Sequence, residues 1–139
     1  MKILLTTAQA KILLHRLSDS YVMAECLTDE GSPLENRPFE EVMRIANALA
    51  AQCEIIITRR GGKGTLSLDA IDSPKIATEV LRDAVGANPW ILWVEDMVNF
   101  GEMTRQQALT QRNIMRALER KLKSAGLKDA KFPHTLETS

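Results

Sequence analysis

The stretch 55-IIITRRGGKGTLSLDA-70 places a glycine-rich, basic turn between two apolar segments. Both segments are typical of β-strands, because they are short and rich in β-branched or alternating apolar residues. Glycine supplies the positive φ that tight turns require, so either Gly62-Lys63 or Gly61 to Gly64 is a suitable loop. The stretch therefore predicts an antiparallel β-hairpin with three cations at its tip.

The register of this hairpin follows from the side chains that it would bury. If Arg60 lies opposite Thr65, one face of the sheet is apolar except at the tip, because paired residues share a face. That face carries Ile55, Ile57, Arg59, Leu66, Leu68 and Ala70. A slip of one residue would mix this set with polar partners, so burial fixes the register. Arg59, Arg60 and Lys63 are candidate contacts for an anionic partner, and an ordinary solvated turn is the alternative.

Composition predicts a single globular protein. At 139 residues and 45% hydrophobic, the chain suits one domain over residues 1–126, with a frayed tail over 127–139. Its 18 basic and 18 acidic side chains argue against disorder and against a purely electrostatic binder of nucleic acid or membrane. No apolar run is long enough to span a bilayer and no signal-peptide pattern is present, so we expect a cytoplasmic protein. Cys26 and Cys53 are expected to be buried free thiols.

Start and stop signals predict about five helices around the hairpin. The predicted starts are the capping boxes Thr6/Gln9 and Thr104/Gln107, Pro38, Asp72-Ser73-Pro74 and Asn88-Pro89. The segment Trp90 to Val94 also fits a short buried strand, and this alternative stays open. The predicted fold class is α+β and mostly helical, with one β-hairpin and a long amphipathic C-terminal helix.

The C-terminal helix carries a narrow apolar seam that includes Met115, Leu118 and Leu122. Such a seam packs either on its own domain or on a second copy of the chain, and both alternatives stay open. The three residues are therefore candidates for a homodimer interface.

The same helix also carries a basic stripe. Its cations recur at intervals of three, four or seven residues: Arg105, Arg112, Arg116, Arg120 and Lys123. Residues 101–139 hold eight basic and four acidic side chains, which is a net charge of +4. Arg112, Arg116 and Arg120 are accordingly candidate nucleic-acid contacts.

Enzyme chemistry has little support in the sequence. His15, Ser18 and Asp19 lie on one short segment, whereas a catalytic triad is assembled from distant parts of a fold. The two histidines and two cysteines show no metal-ligand spacing. The stretch Gly61 to Thr65 departs from a nucleotide-binding loop, in which the lysine follows the last glycine and a helix comes next. We therefore predict no catalytic residue, cofactor or metal, and a protein that acts by binding.

The order of predicted elements over about residues 5 to 71 is similar to that of winged-helix regulators of transcription. A helix that divides in two, a loop, a second helix and a basic-tipped hairpin follow one another. In that family the hairpin is a wing that touches phosphate or the minor groove, and the preceding helix reads the major groove. The resemblance implies double-stranded DNA as a partner, with Arg59, Arg60 and Lys63 on its phosphates.

One departure limits what the preceding helix can read. It begins with Phe39, Glu40 and Glu41, and the two carboxylates would face the phosphate backbone. Its candidates for base reading are Arg44, Asn47 and Gln52. If DNA is bound, the wing and the C-terminal basic stripe must carry the binding.

The alternative is a protein-interaction module that acts without nucleic acid, such as an oligomeric adaptor, an inhibitor, an immunity-type protein or a phage accessory protein. The balanced charge and the lack of an active-site pattern favour it. Trp90 or Trp93 would anchor such an interface if exposed, because tryptophan is enriched at binding hot spots, but an apolar run favours core positions for both. DNA-associated regulation and protein binding are the two functions that the sequence predicts.

Overall fold

A computed structural model describes residues 2–18, 34, 37–59, 61–86 and 89–126, and for residues 83, 85, 86 and 89–93 it describes the backbone alone. Within this part of the chain, five α-helices accompany a two-stranded sheet. The strands are β1 (Lys2–Thr6) and β2 (Lys63–Ser67), and the helices are α1 (Thr7–Ser18), α2 (Phe39–Thr58), α3 (Pro74–Gly86), α4 (Pro89–Asn99) and α5 (Arg105–Ser124). The predicted class, α+β and mostly helical, is confirmed. Arg60, Cys26, the tail 127–139 and the side chains of Trp90 and Trp93 lie outside the described residues.

Both predicted capping boxes form. The Thr6 amide donates to Gln9 Oε1 at 3.0 Å and the Gln9 amide donates to Thr6 Oγ1 at 3.2 Å, so α1 begins immediately after β1. Thr104 and Gln107 make the same reciprocal pair at 2.8 and 3.1 Å at the start of α5. Residues 90–94 belong to a helix, which settles the alternative left by the sequence. Local polar signals thus define the helix starts correctly.

The predicted antiparallel strand pair is present, but its first strand is misplaced. β2 pairs with β1 at the start of the chain, with Leu4 opposite Thr65 and Thr6 opposite Lys63. Residues 55–58 instead form the last turn of α2. The basic turn therefore joins a helix to a strand and is not the tip of a wing, so the winged-helix-like order is wrong.

Residues 55–57 are helical, not extended, because they continue the buried apolar stripe of α2. The apolar face of α2 continues from Leu49 through Cys53 to Ile56, which is 2% exposed, whereas Ile55 is 59% exposed. Burial at helical spacing outweighs the strand preference of β-branched residues, which is worth at most about 1 kcal/mol per residue. The predicted faces of β2 are nonetheless correct, since Leu66 is buried and Thr65 is exposed.

The core lies between the helices and the inner face of the sheet. α2 packs against α1, α3 and β2, and α1 also packs against α3 and α5. The buried apolar side chains of β1 and β2 are Ile3, Leu5 and Leu66. Burial, with a smaller contribution from Glu54, raises the pKa of the Cys53 thiol from 9.0 to about 12, and Cys53 is a free cysteine as predicted.

The seam of α5 belongs to this core. Met115, Leu118 and Leu122 are each at most 1% exposed within the single chain, and α5 packs against α1, β1 and α4. These side chains offer no surface to a second copy, because the rest of the same chain already covers them. Their assignment to an oligomer interface is thereby corrected.

A buried cation links α1 to α3. Arg16 is 1% exposed and its Nε donates to the Ala84 carbonyl in the last turn of α3. The carbonyl end of a helix carries partial negative charge, which favours a guanidinium there. Among the described helices, none combines the length and apolarity needed to cross a membrane.

Candidate binding groove

A groove runs between the outer edge of β1 and the C-terminal half of α5. We call it the basic groove, and it has a volume of about 580 Å³. Its lining residues are Lys2, Ile3, Leu4, Ala117, Arg120, Lys121, Ser124 and Ala125. The lining thus joins the first residues of the chain to residues more than a hundred positions later.

The sequence of α5 explains why a groove remains there. Ala117, Ser124 and Ala125 are small, so the helix surface beside β1 leaves space that larger side chains would fill. Lys121 crosses this space, because its Nζ donates to the Leu4 carbonyl at 2.9 Å and to Gln9 Oε1 at 2.7 Å. Its ammonium is therefore fixed at the wall of the groove.

The Lys121 bond also defines which way the backbone of β1 points. In an antiparallel pair, a residue directs its N–H and its C=O to the same side. Since the Leu4 carbonyl points to α5, the Leu4 N–H points there too. The backbone groups of Lys2 point the same way, because alternate residues of a strand direct their N–H and C=O to the same side. The groove is thus bordered by an open strand edge with one of its carbonyls already bonded.

The charged residues that line the groove, among those the structure describes, are all positive. Lys2 and Arg120 are exposed and Lys121 is half-buried. Outside it, a hydrogen bond from the amino-terminal ammonium, with a smaller contribution from Lys2, lowers the pKa of Asp69. That carboxylate offsets part of the charge of Lys2 but leaves Arg120 and Lys121 unbalanced at the groove.

The predicted basic turn lies at the other end of the sheet. Arg59 and Lys63 are exposed, and neither makes a side-chain hydrogen bond or ion pair with a described residue. Gly61 and Gly62 have φ of +102° and +71°, and the Gly62 carbonyl accepts from the Thr7 amide at 2.9 Å. Because Lys63 is opposite Thr6, the turn is about 13 Å along the strand from Lys2.

The basic stripe of α5 does not act as one set. Arg112 and Arg116 are half-buried and already engaged within the chain, and Lys123 pairs with Glu119 at 3.0 Å. Arg120 alone of the three predicted contacts on this helix lines the groove. The stripe therefore includes cations that already interact within the chain and one, Arg120, that lines the groove.

The helix expected to read DNA is also largely committed to internal contacts. Arg44 donates to both carboxylate oxygens of Asp72 at 3.0 Å. Gln52 bonds the Ser67 amide and carbonyl, each at 2.8 Å. Asn47 remains exposed. Two of the three predicted reading residues are thus held by the protein itself.

Most residues of the groove were absent from the sequence prediction, including Lys2, Leu4 and Lys121. Lys2 and Leu4 belong to β1, for which the only signal was the alternation in Lys-Ile-Leu-Leu-Thr immediately before the first capping box. Lys121 lies one residue beyond Arg120, about 100° around the helix from the predicted stripe. Nothing local reveals that β1 lies beside this part of α5.

Within the described part of the chain, no cluster of three or more histidine, cysteine or acidic side chains is arranged to hold a metal ion. Comparison of the chain with protein-family models, curated protein sequences and solved structures finds no match. A function is therefore inferred from the geometry of the groove alone.

Proposed function

We propose that the protein acts by binding another protein, and that the basic groove is the surface that contacts it. The supporting observation is the combination, in one concave site, of three cations with the open edge of β1 and with Leu4, whose side chain is 51% exposed. An apolar contact surrounded by charged groups is typical of the centre of a protein interface. The three cations that line the groove favour a partner with negative charge at the contact.

A site-specific crosslinking experiment tests this proposal. A photoreactive phenylalanine analogue replaces Leu4 in one variant and Phe100 in the other, and both are irradiated in extracts of the source cells. Phe100 is a suitable control because it is 78% exposed and precedes α5, whose 20 residues span about 30 Å. We expect a discrete adduct from position 4 alone, and we expect Lys2→Glu with Arg120→Glu to abolish it.

Two results would contradict the proposal. Identical adducts from positions 4 and 100 would indicate non-specific contact. An adduct at position 4 that survives the double charge reversal would show that the cations of the groove do not recognise the partner.

A second function, contact with the phosphate backbone of nucleic acid, is favoured by the basic turn. Arg59 and Lys63 are exposed. Gly61 and Gly62, which have positive φ, leave a short stretch of backbone without side chains between them. Cations on such a turn would bind phosphates and displace counterions. Base reading by α2 is not part of this proposal, because Arg44 and Gln52 are engaged internally.

Salt dependence of binding to mixed-sequence duplex DNA tests the second function. Changing Arg59, Arg60 and Lys63 to Ala should weaken binding at low salt and lower the salt slope by roughly one for each phosphate that is no longer neutralised. Lys75→Ala is the matched control, since Lys75 is an exposed cation on α3. Unchanged affinity in the triple variant, or no binding by the parent protein at low salt, would remove this function.

A further inference from the structure

We infer that the basic groove accepts an extended, acidic segment of the partner protein, which adds to the outer edge of β1 as a third strand. This inference rests on the proposed function, because it names the part of the partner that the groove binds. The backbone of this segment would pair with β1, and its negative side chains would contact Lys2, Arg120 and Lys121.

The open edge of β1 supplies the backbone contacts. Of the groups on this edge, the Thr6 amide is bonded to Gln9 and the Leu4 carbonyl to Lys121. The Leu4 N–H and the backbone groups of Lys2 have no described partner and border the groove. A strand laid beside them would bond these groups in the same way that β2 bonds the inner edge.

At the opposite edge of the sheet, one residue shows how both outward backbone groups of a strand can be satisfied in this protein. Gln52 bonds both the N–H and the C=O of Ser67 on the outer side of β2. Proteins generally cover or charge their edge strands to prevent unwanted pairing. The edge of β1 is charged rather than covered, and its charge repels basic strands while it attracts acidic ones.

The dimensions of the groove suit a short strand. Its lining on α5 runs from Ala117 to Ala125, which corresponds to about 12 Å of helix rise. An extended chain covers that distance with about four residues. The small side chains at 117, 124 and 125 allow the backbone of such a segment to approach the helix closely.

Charge complementarity selects among the segments that would fit. Lys2 and Arg120 are exposed on opposite sides of the groove, on β1 and α5. A segment with carboxylates at alternate positions would present them on one face while its backbone pairs with β1. A basic segment would meet three like charges and be excluded.

The test uses the full-length protein and fluorescein-labelled synthetic peptides. The probe is a hexapeptide with Glu or Asp at alternate positions and Val between them. The first control peptide has the same sequence with N-methyl groups on alternate backbone amides, which keeps the charge but blocks strand pairing. The second control replaces the acidic residues with Lys. Fluorescence anisotropy measures affinity.

We expect the unmodified acidic peptide to bind at least about tenfold more tightly than the N-methylated peptide, because loss of backbone bonds on one edge weakens binding to about that extent. Lys2→Glu with Arg120→Glu should weaken binding by at least about tenfold as well, and the Lys peptide should not bind. Phe100→Ser should change nothing. The Leu4 amide should exchange with solvent more slowly when the acidic peptide is bound.

A proline at position 4 isolates the backbone contribution. Leu4→Pro removes an N–H that points away from β2, and proline is tolerated on edge strands. It also removes the leucine side chain, so Leu4→Ala, which keeps the N–H, is the matched control. The proline variant should lose peptide binding while keeping its circular dichroism spectrum. If Leu4→Pro fails to fold, the N-methylated peptide and the exchange rate of the Leu4 amide decide the question in the parent protein.

Several outcomes would overturn the inference. Equal binding of the acidic peptide and its N-methylated form would show recognition by charge without strand addition. A dimer by light scattering that Leu4→Pro abolishes would show that the edge pairs with a second copy of the chain. Failure of the acidic peptide to bind, with the Leu4 crosslink to a partner retained, would remove this inference and leave the proposed function standing. If the acidic peptide does not bind and position 4 gives no crosslink, both this inference and the proposed function are excluded.

Discussion

Two 20-residue helices, α2 and α5, flank the two strands, and they meet the sheet in different ways. At the junction of α2 with β2, the Gln52 side chain bonds both backbone groups of Ser67, and Gly64 lies directly over the Ile56 side chain. At the junction of α5 with β1, one ammonium reaches one carbonyl of the strand and a groove remains. We call these the closed junction and the open junction.

The difference shows how a small sheet can pack between two helices and still leave backbone groups open at one edge. An amide side chain carries a donor and an acceptor, so one Gln satisfies both groups of a strand residue. A lysine has donors only, so Lys121 satisfies the Leu4 carbonyl and leaves its N–H. The chemistry of one side chain thus decides whether both outward backbone groups of a strand residue are satisfied.

Thiol labelling should reveal the largest contrast between the two junctions. Cys53 is fully buried beside the closed junction, whereas Ser124 is exposed in the basic groove. In a Cys26→Ser background, Cys53 should react with a thiol reagent at least about a thousandfold more slowly than in urea, because reaction requires unfolding. A cysteine introduced by Ser124→Cys, with Cys53→Ser, should react at the rate of the unfolded chain. Fast labelling of Cys53 in the folded protein would show that the reagent reaches the interior beside the closed junction without unfolding.

The same burial predicts a loss of stability at alkaline pH. Because the folded protein raises the pKa of Cys53 from 9.0 to about 12, the unfolded chain ionises first as pH rises above 9. The contribution of the protonated Cys53 thiol to folding stability is therefore fully present below pH 9 and declines as the pH rises from there through the folded pKa. Urea midpoints measured between pH 8 and 10.5 should fall less in Cys53→Ala than in the parent.

Gly64→Val should destabilise the closed junction by about 3 kcal/mol, at the upper end of what overpacking costs. A Cβ at position 64 would lie 3.0 Å from Ile56 Cγ1, and Ile56 is buried. Urea denaturation measures the effect. Thr65→Val is the control, since Thr65 is its exposed neighbour on the same strand, and it should change stability little. Equal effects of the two substitutions would contradict tight packing at Gly64.

Gln52→Leu should cost about 2 kcal/mol, because it leaves an N–H and a C=O of Ser67 without partners in a partly buried position. The control is Asn47→Leu, which adds the same side chain at an exposed site on the same helix. The comparison of urea midpoints isolates the two bonds. A cost no greater than that of Asn47→Leu would mean that solvent replaces the Gln52 amide without loss.

Lys121→Met should have the smallest effect on stability, about 1 kcal/mol, because its bond to Leu4 is solvent-exposed and its bond to Gln9 only partly buried. Arg120→Met removes a groove cation that makes no described bond and should be neutral. If Lys121→Met costs as much as Gln52→Leu, the open junction contributes to stability as the closed one does and the contrast between them fails.

The helices were predictable because their signals are local. Thr6 with Gln9 and Thr104 with Gln107 lie three residues apart, and each pair forms the reciprocal bonds that its spacing predicts. The 3.6-residue stripe of α2 was also read correctly up to Cys53. Its continuation to Ile56 was missed because a run of isoleucines favours a strand when considered alone.

The sheet and the groove were not predictable because they depend on distant pairing. Lys2 and Ser67 meet in the sheet, but neither carries a signal for the other. The groove joins Lys2 to Arg120 and Lys121, so its composition follows only from the packing of α5 on β1. Lys63 is exposed, as its place in the predicted turn implies, whereas Arg59 was predicted on the apolar face of the hairpin and is exposed instead. The role of both residues stays a prediction.

Gln9 Oε1 links the order of synthesis to the completion of the fold. This oxygen accepts from the Thr6 amide three residues away and from Lys121 Nζ 112 residues away. During synthesis, the capping box can form as soon as α1 emerges, but β1 must wait for β2, and the Lys121 bond must wait for α5. Such long-range contacts slow folding. Until α5 arrives, β1 has neither its lysine nor its neighbouring helix, and a chaperone would meet the edge that borders the groove first as an unprotected strand.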